Sequence, residues 1–183
     1  MIEYKKTNIN TIGAIAILFA VTIVGIITWF LYQHTVELLT QNLRDRLIAI
    51  SQTAATEFEE KDLQNLKVEQ DWRKPEWAKV VNQLKRIRLN NDNILFAYIV
   101  RKSDLDPSKI EFVADSHSIN PYAKIDLNGD GLINDADLLQ WPGQSYEDPP
   151  IEIFDAYNHS MTSKELIQDQ WGVEIVGYSP IKN

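Results

Sequence analysis

The sequence predicts an α+β protein, in which a long N-terminal helix begins as a transmembrane segment and is followed by a small domain with antiparallel strands. Three observations support this class. An uncharged apolar run opens the chain, a stripe of apolar residues at helical spacing follows, and short β-branched and aromatic runs occupy the second half. The 183 residues suffice for one domain and an anchor, but hardly for two domains.

The N-terminal apolar run is long enough to cross a membrane as a helix. No Lys, Arg, Asp or Glu occurs between Thr7 and Thr35, and residues 12–32 are almost wholly apolar. Those residues would span roughly 32 Å, about the thickness of the hydrocarbon core of a bilayer. We therefore predict a transmembrane helix over residues 11–33, preceded by a cytoplasmic N-terminus, residues 1–10.

Flanking charges predict the orientation of this anchor. Lys5 and Lys6 precede the apolar run, so the positive-inside rule places the rest of the chain in the periplasm or outside the cell. The expected location is the inner or plasma membrane, crossed once. Arg44 and Arg46 weigh against this orientation, because they also lie within the distance over which the rule counts charge. A cleaved signal peptide would have a shorter run ending in small residues, and a buried core helix is rarely apolar all round.

A second helical pattern follows the anchor. Neither Pro nor Gly interrupts the chain between Trp29 and Glu60, so we predict that a juxtamembrane helix within residues 34–70 continues the transmembrane helix and passes displacement across the bilayer. Its apolar stripe would form a homodimer seam, contact a partner membrane protein, or pack on the domain's own sheet. The stripe consists of Val36, Leu39, Leu43, Leu47, Ile50, Ala54 and Phe58.

Residues 71–183 carry the pattern of a folded domain. Pro75 suits the first turn of a helix over Glu76–Leu89. An Asp-Pro turn within residues 103–108 joins two strands of a predicted hairpin. The predicted strands are Ile94–Val100, Ile110–Ala114 and Val173–Tyr178, and short helices are predicted around residues 152–157 and 163–168.

The most specific motif is an acidic loop of twelve residues, 126–137. Oxygen-bearing side chains fall at loop positions one, three and five, and glycine falls at six, where the chain must turn sharply with positive φ. Position seven offers a backbone carbonyl and position nine acts through water. Ile133, at position eight, is expected to point inward. The predicted Ca²⁺ ligands are Asp126, Asn128, Asp130, Leu132, Asn134 and Asp137.

Position twelve departs from the EF-hand pattern. EF-hands usually carry a bidentate Glu there, whereas the shorter arm of Asp137 is expected to weaken affinity or to admit magnesium. The loop resembles that of dockerin repeats, which also favour Asp at twelve, although a dockerin has two such loops. The preceding residues 120–122 predict a loop rather than an incoming helix. The expected site is a lone structural calcium loop, and a regulatory calcium switch is the alternative.

The order of elements and several short motifs resemble the Cache superfamily, the PAS-like extracytoplasmic sensor domains of bacterial receptors. Glu147 stands where that family often has Asp. The chain also reaches Asn183 where the family adds further strands, so the PAS/Cache-like antiparallel sheet is expected to be incomplete at the C-terminus. The motifs are residues 54–58 (AATEF), Ala114-Asp115, the loop 126–130 followed by 141–147 (WPGQSYE), residues 169–172 (DQWG) and 177–181 (GYSPI).

This resemblance implies a sensor. Cache domains bind small ligands between the sheet and covering loops, and the positions carried over are Tyr98, Asp115, Tyr146, Asp169 and Trp171. The expected function is an extracytoplasmic signal-transduction module that binds a small ligand or a partner and passes the signal through its transmembrane helix. The alternative is a membrane-anchored interaction or assembly subunit of a larger envelope complex, with calcium as a structural staple.

Composition argues against several other classes. The formal net charge of -8 supplies no cationic footprint for nucleic acid. The absence of cysteine excludes a disulfide scaffold, a thiolate zinc site and a cysteine nucleophile. The three histidines have no zinc-binding spacing and the chain carries no catalytic motif, so an enzyme is not expected.

Overall fold

A computed structural model describes residues 9–169 and 172–182. The chain forms two compact units, Met1–Asp45 and Arg46–Asn183. Helix α1, Ile9–Ala55, supplies the described part of the first unit, and its last turns belong to the second. The predicted N-terminal segment 1–10 lies mostly outside the described residues.

Helix α1 includes the predicted transmembrane segment. It is long and apolar enough to cross a membrane, and its most apolar stretch is not covered by any other part of the described chain. A signal sequence, or the core helix of a soluble protein, meets the same test of length and composition. The helix ends at Ala55, so the helix predicted within residues 34–70 is shorter than expected. The chain turns after Ala55, where the N–H of Thr56 donates to Thr53 and the N–H of Glu57 donates to Ala54, and both Phe58 and Leu66 then join the buried core.

A short helix and a longer one follow. Helix α2 spans Glu60–Gln64, and a 3-10 turn at Glu69–Arg73 leads into helix α3, Pro75–Leu89, which confirms the predicted second helix. Pro75 lacks the N–H that a first helical residue leaves unpaired, so it begins the helix at little cost. The main core lies between α3 and the hairpin. Its buried residues are Phe58, Leu66, Trp77, Val80, Val81, Leu84, Ile99, Val113 and Ala114.

The hairpin consists of β1, Tyr98–Lys102, and β2, Ile110–Asp115, paired antiparallel with a bulge between Ile99 and Val100. The first strand begins later than predicted, because a turn holds residues 91–94, with the N–H of Ile94 donating to Asn91 and positive φ at Asn93. The bulge leaves Ile99, Val113 and Ala114 on the face toward α3. Tyr98 and Phe112 therefore lie on the opposite face.

The C-terminal part adds short elements. Helix α3 is followed, after the hairpin, by α4 at Glu152–Ala156, as predicted. Strand β3, Met161–Thr162, pairs with β6, Gly177–Tyr178, and β4, Ile167–Asp169, pairs with β5, Gly172–Glu174. The helix predicted around residues 163–168 is therefore wrong, because β4 hydrogen-bonds to β5, and the strand predicted over 173–178 is split between β5 and β6. Within the described residues the strands form two-stranded sheets, and a larger PAS/Cache-like sheet is not confirmed.

Candidate functional site

The acidic loop 126–137 folds around its first side chain. Asp126 Oδ1 accepts the N–H of Gly129 at 2.7 Å, and Oδ2 accepts the N–H of Gly131 at 2.8 Å. Both glycines have positive φ, 74° and 82°. A residue with a Cβ adopts that backbone conformation only with strain, so glycine at loop positions four and six lets the two N–H groups turn inward.

Neighbouring side chains close the loop in the same way. The Oδ1 atom of Asn128 accepts the N–H of Asp130 at 3.1 Å, and Asp130 Oδ1 accepts the N–H of Leu132 at 2.7 Å. Farther along, the Oδ1 atom of Asn134 accepts the N–H of Ala136 at 2.8 Å and caps a 3-10 turn. Each predicted side-chain ligand in the loop therefore also stabilises its backbone.

Asp137, at position twelve, is the residue that joins the two ends of the loop. Its Oδ1 accepts the N–H of Leu127 at 2.7 Å and its Oδ2 accepts the N–H of Asn134 at 2.9 Å. These backbone hydrogen bonds lower the pKa of the Asp137 carboxyl. The residue is 4% exposed. The short arm of Asp thus places the carboxylate against the backbone, where the longer Glu of an EF-hand would reach farther.

The expectation for Ile133 is wrong. Its side chain is 55% exposed, and that of Leu132 is 65% exposed, because the loop is held by its polar side chains rather than by an apolar one directed inward. Within residues 9–169 and 172–182, no group of three or more acidic or histidine side chains is gathered as a metal site. The loop nevertheless supplies hard oxygen donors, and a carboxylate oxygen that accepts one hydrogen bond retains a lone pair. The calcium site stays a prediction.

A cluster of aromatic side chains, the tyrosine cluster, covers the outer face of the hairpin and consists of Tyr98, Phe112, Tyr146 and Tyr178. Phe112 stacks on Tyr146 with ring centroids 4.9 Å apart, and Tyr98 meets the Tyr146 ring edge-on at 6.3 Å. Tyr178 belongs to the same apolar cluster, beside Ile153 of α4. The structure therefore brings together two of the residues that the Cache resemblance named, Tyr98 and Tyr146.

Tyr146 reaches the cluster because residues 143–146 pair with the free edge of β2. The N–H of Tyr146 donates to Ile110, the N–H of Phe112 donates to Gln144, and the N–H of Gly143 donates to Phe112, at 2.8–2.9 Å. Gly143 has φ of 80°, and a Cβ at that position would overlap the carbonyl oxygen of Lys67. The Pro-Gly pair thus allows this segment to pass close to the backbone at Lys67 and to hydrogen-bond along the edge of β2.

Burial affects the hydroxyl groups of two tyrosines in this cluster, Tyr98 and Tyr178. Burial raises the pKa of Tyr98 well above its usual value, and the neighbouring Tyr146 and Tyr178 add to this effect. Burial also raises the pKa of Tyr178. The neighbouring Tyr146 and the carboxylates of Glu152 and Glu174 raise the same pKa further, by smaller amounts. Tyr178 is 9% exposed, and its hydroxyl has no hydrogen-bond partner among the described residues. A buried hydroxyl without a partner is unusual, since its desolvation is not compensated.

The remaining residues named by the resemblance differ in their placement. Asp115 is 7% exposed, and its Oδ1 accepts the N–H of His117 at 2.6 Å, so its carboxylate is engaged in the turn after β2. Asp169 ends β4, and nothing is described of its side chain. Trp171 lies outside the described residues. Sequence reasoning did not select Phe112 and Tyr178 as site residues, although the Gly-Tyr motif at 177–178 marked the second of them.

These elements define an α+β chain with an apolar helix long enough to span a membrane, an acidic loop and a partly buried tyrosine cluster. Comparison with family models, with curated proteins and with solved structures finds no match to this chain.

Proposed function

We propose that this chain is a membrane-anchored extracytoplasmic sensor module, stabilised by a calcium ion. The observation that carries the proposal is the apolar surface of α1. Side chains such as Ile17, Phe19 and Trp29 are 63–67% exposed along it. Each large apolar side chain removed from water gains about 1.5–3 kcal/mol. A soluble monomer rarely exposes an apolar patch of more than a few hundred Å². A lipid bilayer would surround these side chains with hydrocarbon and so remove the free-energy cost of exposing them to water.

The second unit offers a route from the tyrosine cluster to α1. Leu47, Ile50 and Ala54, from the C-terminal turns of α1, are half-buried. A Cβ added at Gly177 would lie 3.1 Å from the Cβ of Leu47, so β6 lies close to the helix. The next residue, Tyr178, belongs to the tyrosine cluster. A ligand that favours one position of β6 would shift α1, provided that it binds the two positions with different affinity.

Membrane topology tests the anchor and its orientation. The chain has no cysteine, so one cysteine can be introduced at a time. We expect a membrane-impermeant maleimide to label Ser108→Cys, in the exposed hairpin turn, in intact spheroplasts. Lys6→Cys should be labelled only after the membrane is permeabilised. Labelling in the opposite order would refute the orientation, and recovery of the intact chain in the soluble fraction would refute the anchor.

The calcium loop is proposed to stabilise the domain rather than to switch it. Asp126, Asp130, Asp135 and Asp137 place four carboxylates within twelve residues, and a divalent cation would relieve their repulsion. We expect calcium to raise the melting temperature of the detergent-solubilised chain, and Asp126→Ala or Asp130→Ala to abolish that rise. Asp135→Ala is the matched control, since it removes the same charge at a position outside the ligand set. An equal calcium effect in all three variants would contradict the site.

A second candidate function is that of an interaction subunit in a larger membrane complex. The N-terminal part of the apolar stripe favours it. Val36, Leu39 and Leu43 are 41–64% exposed in the first unit, as expected of a seam that meets another helix. Oxidative cross-linking of Leu39→Cys in membranes should give a dimer of this chain. Glu37→Cys, from the polar face, is the control, and equal cross-linking of both variants would argue against a seam.

A further inference from the structure

The acidic loop contains the only places in this sequence where an Asn or an Asp is followed by glycine. These dipeptides are Asn128-Gly129 and Asp130-Gly131. In such a pair the backbone nitrogen of the glycine can attack the side-chain carbonyl carbon of the preceding residue, because glycine has no Cβ to shield the nitrogen or to restrict the backbone. Both glycines are exposed, and a Cβ added at either would have no atom within 4 Å. Water therefore reaches this part of the loop.

A single carboxylate holds both glycine nitrogens. Asp126 accepts the N–H of Gly129 at 2.7 Å through Oδ1 and the N–H of Gly131 at 2.8 Å through Oδ2. A backbone nitrogen must lose its proton before it attacks a carbonyl carbon. A carboxylate that accepts this proton in a hydrogen bond opposes the loss, because the anion formed would lie beside a negative charge. Asp126 therefore disfavours the attack at both dipeptides.

The side chain of Asn128 is held by a second set of hydrogen bonds. Its Oδ1 accepts the N–H of Asp130 at 3.1 Å, and its Nδ2 donates to Asp130 Oδ2 at 3.1 Å. Short polar side chains commonly bond in this way to the residue two positions on, and the bonds fix the orientation of the amide. Attack by the nitrogen of Gly129 would expel the Nδ2 atom, so the bond from Nδ2 to Asp130 would be lost.

We propose that Asn128 is a deamidation site and that Asp126 controls its rate. The nitrogen of Gly129, after losing its proton, bonds to Cγ of Asn128. The bond from Cγ to Nδ2 breaks, and Nδ2 takes up a proton and leaves as ammonia. Water then opens the cyclic succinimide at either of its two carbonyl groups, which gives aspartate or isoaspartate at position 128. The reaction consumes water and releases ammonia, and it involves no oxidant or reductant.

Either product would loosen the acidic loop. Aspartate at position 128 replaces the N–H group that donates to Asp130 with a carboxylate oxygen, and two like charges then repel. Isoaspartate adds a methylene to the main chain before Gly129, which displaces its N–H from Asp126. The modification would accumulate with the age of the chain and would be irreversible without a repair enzyme. This inference depends neither on the proposed calcium ion nor on the membrane topology.

Incubation of the full chain in detergent micelles with chelator tests the proposal. Mass spectrometry of the peptide that contains residue 128 measures the rate of deamidation, and fragmentation assigns it to that residue. We expect Asp126→Ala to raise the rate roughly tenfold or more, the size expected when a hydrogen bond to a charged group is lost. Asp135→Ala is the matched control, because it removes the same charge from an exposed residue of the loop. It should leave the rate unchanged.

Each of four results would overturn the proposal. Absence of deamidation at Asn128 in the urea-unfolded chain would reject the site, and an equal rate in the folded and unfolded chains would reject its protection. Equal acceleration by Asp126→Ala and Asp135→Ala would indicate a general effect of charge. Asp137→Ala releases other N–H groups, at the two ends of the loop. If it accelerated the reaction as much as Asp126→Ala, general loosening of the loop would set the rate. None of these results would alter the calcium or topology measurements.

Discussion

Among the glycines that the structure describes, Gly143 is the one where an added methyl group meets the closest backbone contact and should cost the most stability. Its backbone has φ of 80°, and a Cβ there would overlap the carbonyl oxygen of Lys67 and lie 3.1 Å from the carbonyl carbon of that residue and 3.4 Å from the Cα of Val68. These neighbours are backbone atoms, so they cannot move aside by rotating a side chain. The N–H groups of Lys67 and Val68 both donate to Asp71 Oδ2, which fixes the segment further.

The expected loss has two parts. An L-residue in the left-handed region costs roughly 1–2 kcal/mol. Displacing packed backbone to admit a methyl group costs typically about 1–3 kcal/mol more. Gly143→Ala should therefore lower the free energy of unfolding by about 2–5 kcal/mol. Gly129→Ala is the matched control, because Gly129 has φ of 74° but no atom within 4 Å of its added Cβ. Its loss should be limited to the conformational part.

Equilibrium urea unfolding of the detergent-solubilised chain, followed by tryptophan fluorescence, measures both variants. Trp77 is 1% exposed in the core and reports on unfolding. The measurement is made in chelator, because Gly129 lies in the acidic loop. If the two variants differ by less than about 0.5 kcal/mol, the usual range for substitutions without a specific mechanism, then the close approach of Gly143 to Lys67 is refuted.

Two further predictions concern buried polar groups. Tyr178→Phe should leave the free energy of unfolding unchanged or raise it by up to about 1 kcal/mol, because it removes a buried hydroxyl without a partner; a clear loss in urea unfolding would show that the hydroxyl has a partner in solution. Folding lowers the pKa of the Asp137 carboxyl below its unfolded value of 3.8. The ionised carboxylate therefore stabilises the folded chain at pH values above 3.8, and this stabilisation is lost as the pH falls through the pKa of the folded state. Asp137→Asn should therefore flatten the dependence of melting temperature on pH in the acid range, and an unchanged slope would contradict the role of its hydrogen bonds to the backbone.

Local periodicity in the sequence predicted the elements that depend on a single segment. The apolar run and stripe predicted α1, Pro75 and the spacing of apolar residues after it predicted α3, and the Asp-Pro turn predicted the hairpin. These signals are local, because a helix or a turn is specified by residues three to four positions apart. The Asp and Gly spacing of residues 126–137 likewise predicted the positive φ of Gly131, at loop position six, whereas the positive φ of Gly129 was not predicted.

The tertiary structure decided what depends on residues distant in sequence. Ile133 is exposed and Asp137 buried because backbone N–H groups, rather than an apolar side chain, close the acidic loop. Tyr146 joins Tyr98 because residues 143–146 pair with β2, a contact made possible by the close approach of Gly143 to Lys67. Pairing of this kind depends on which segments meet in space, and a short motif does not encode its partner. The sequence by itself therefore determined the anchor-like helix and the acidic loop, whereas the packing of distant segments formed the tyrosine cluster.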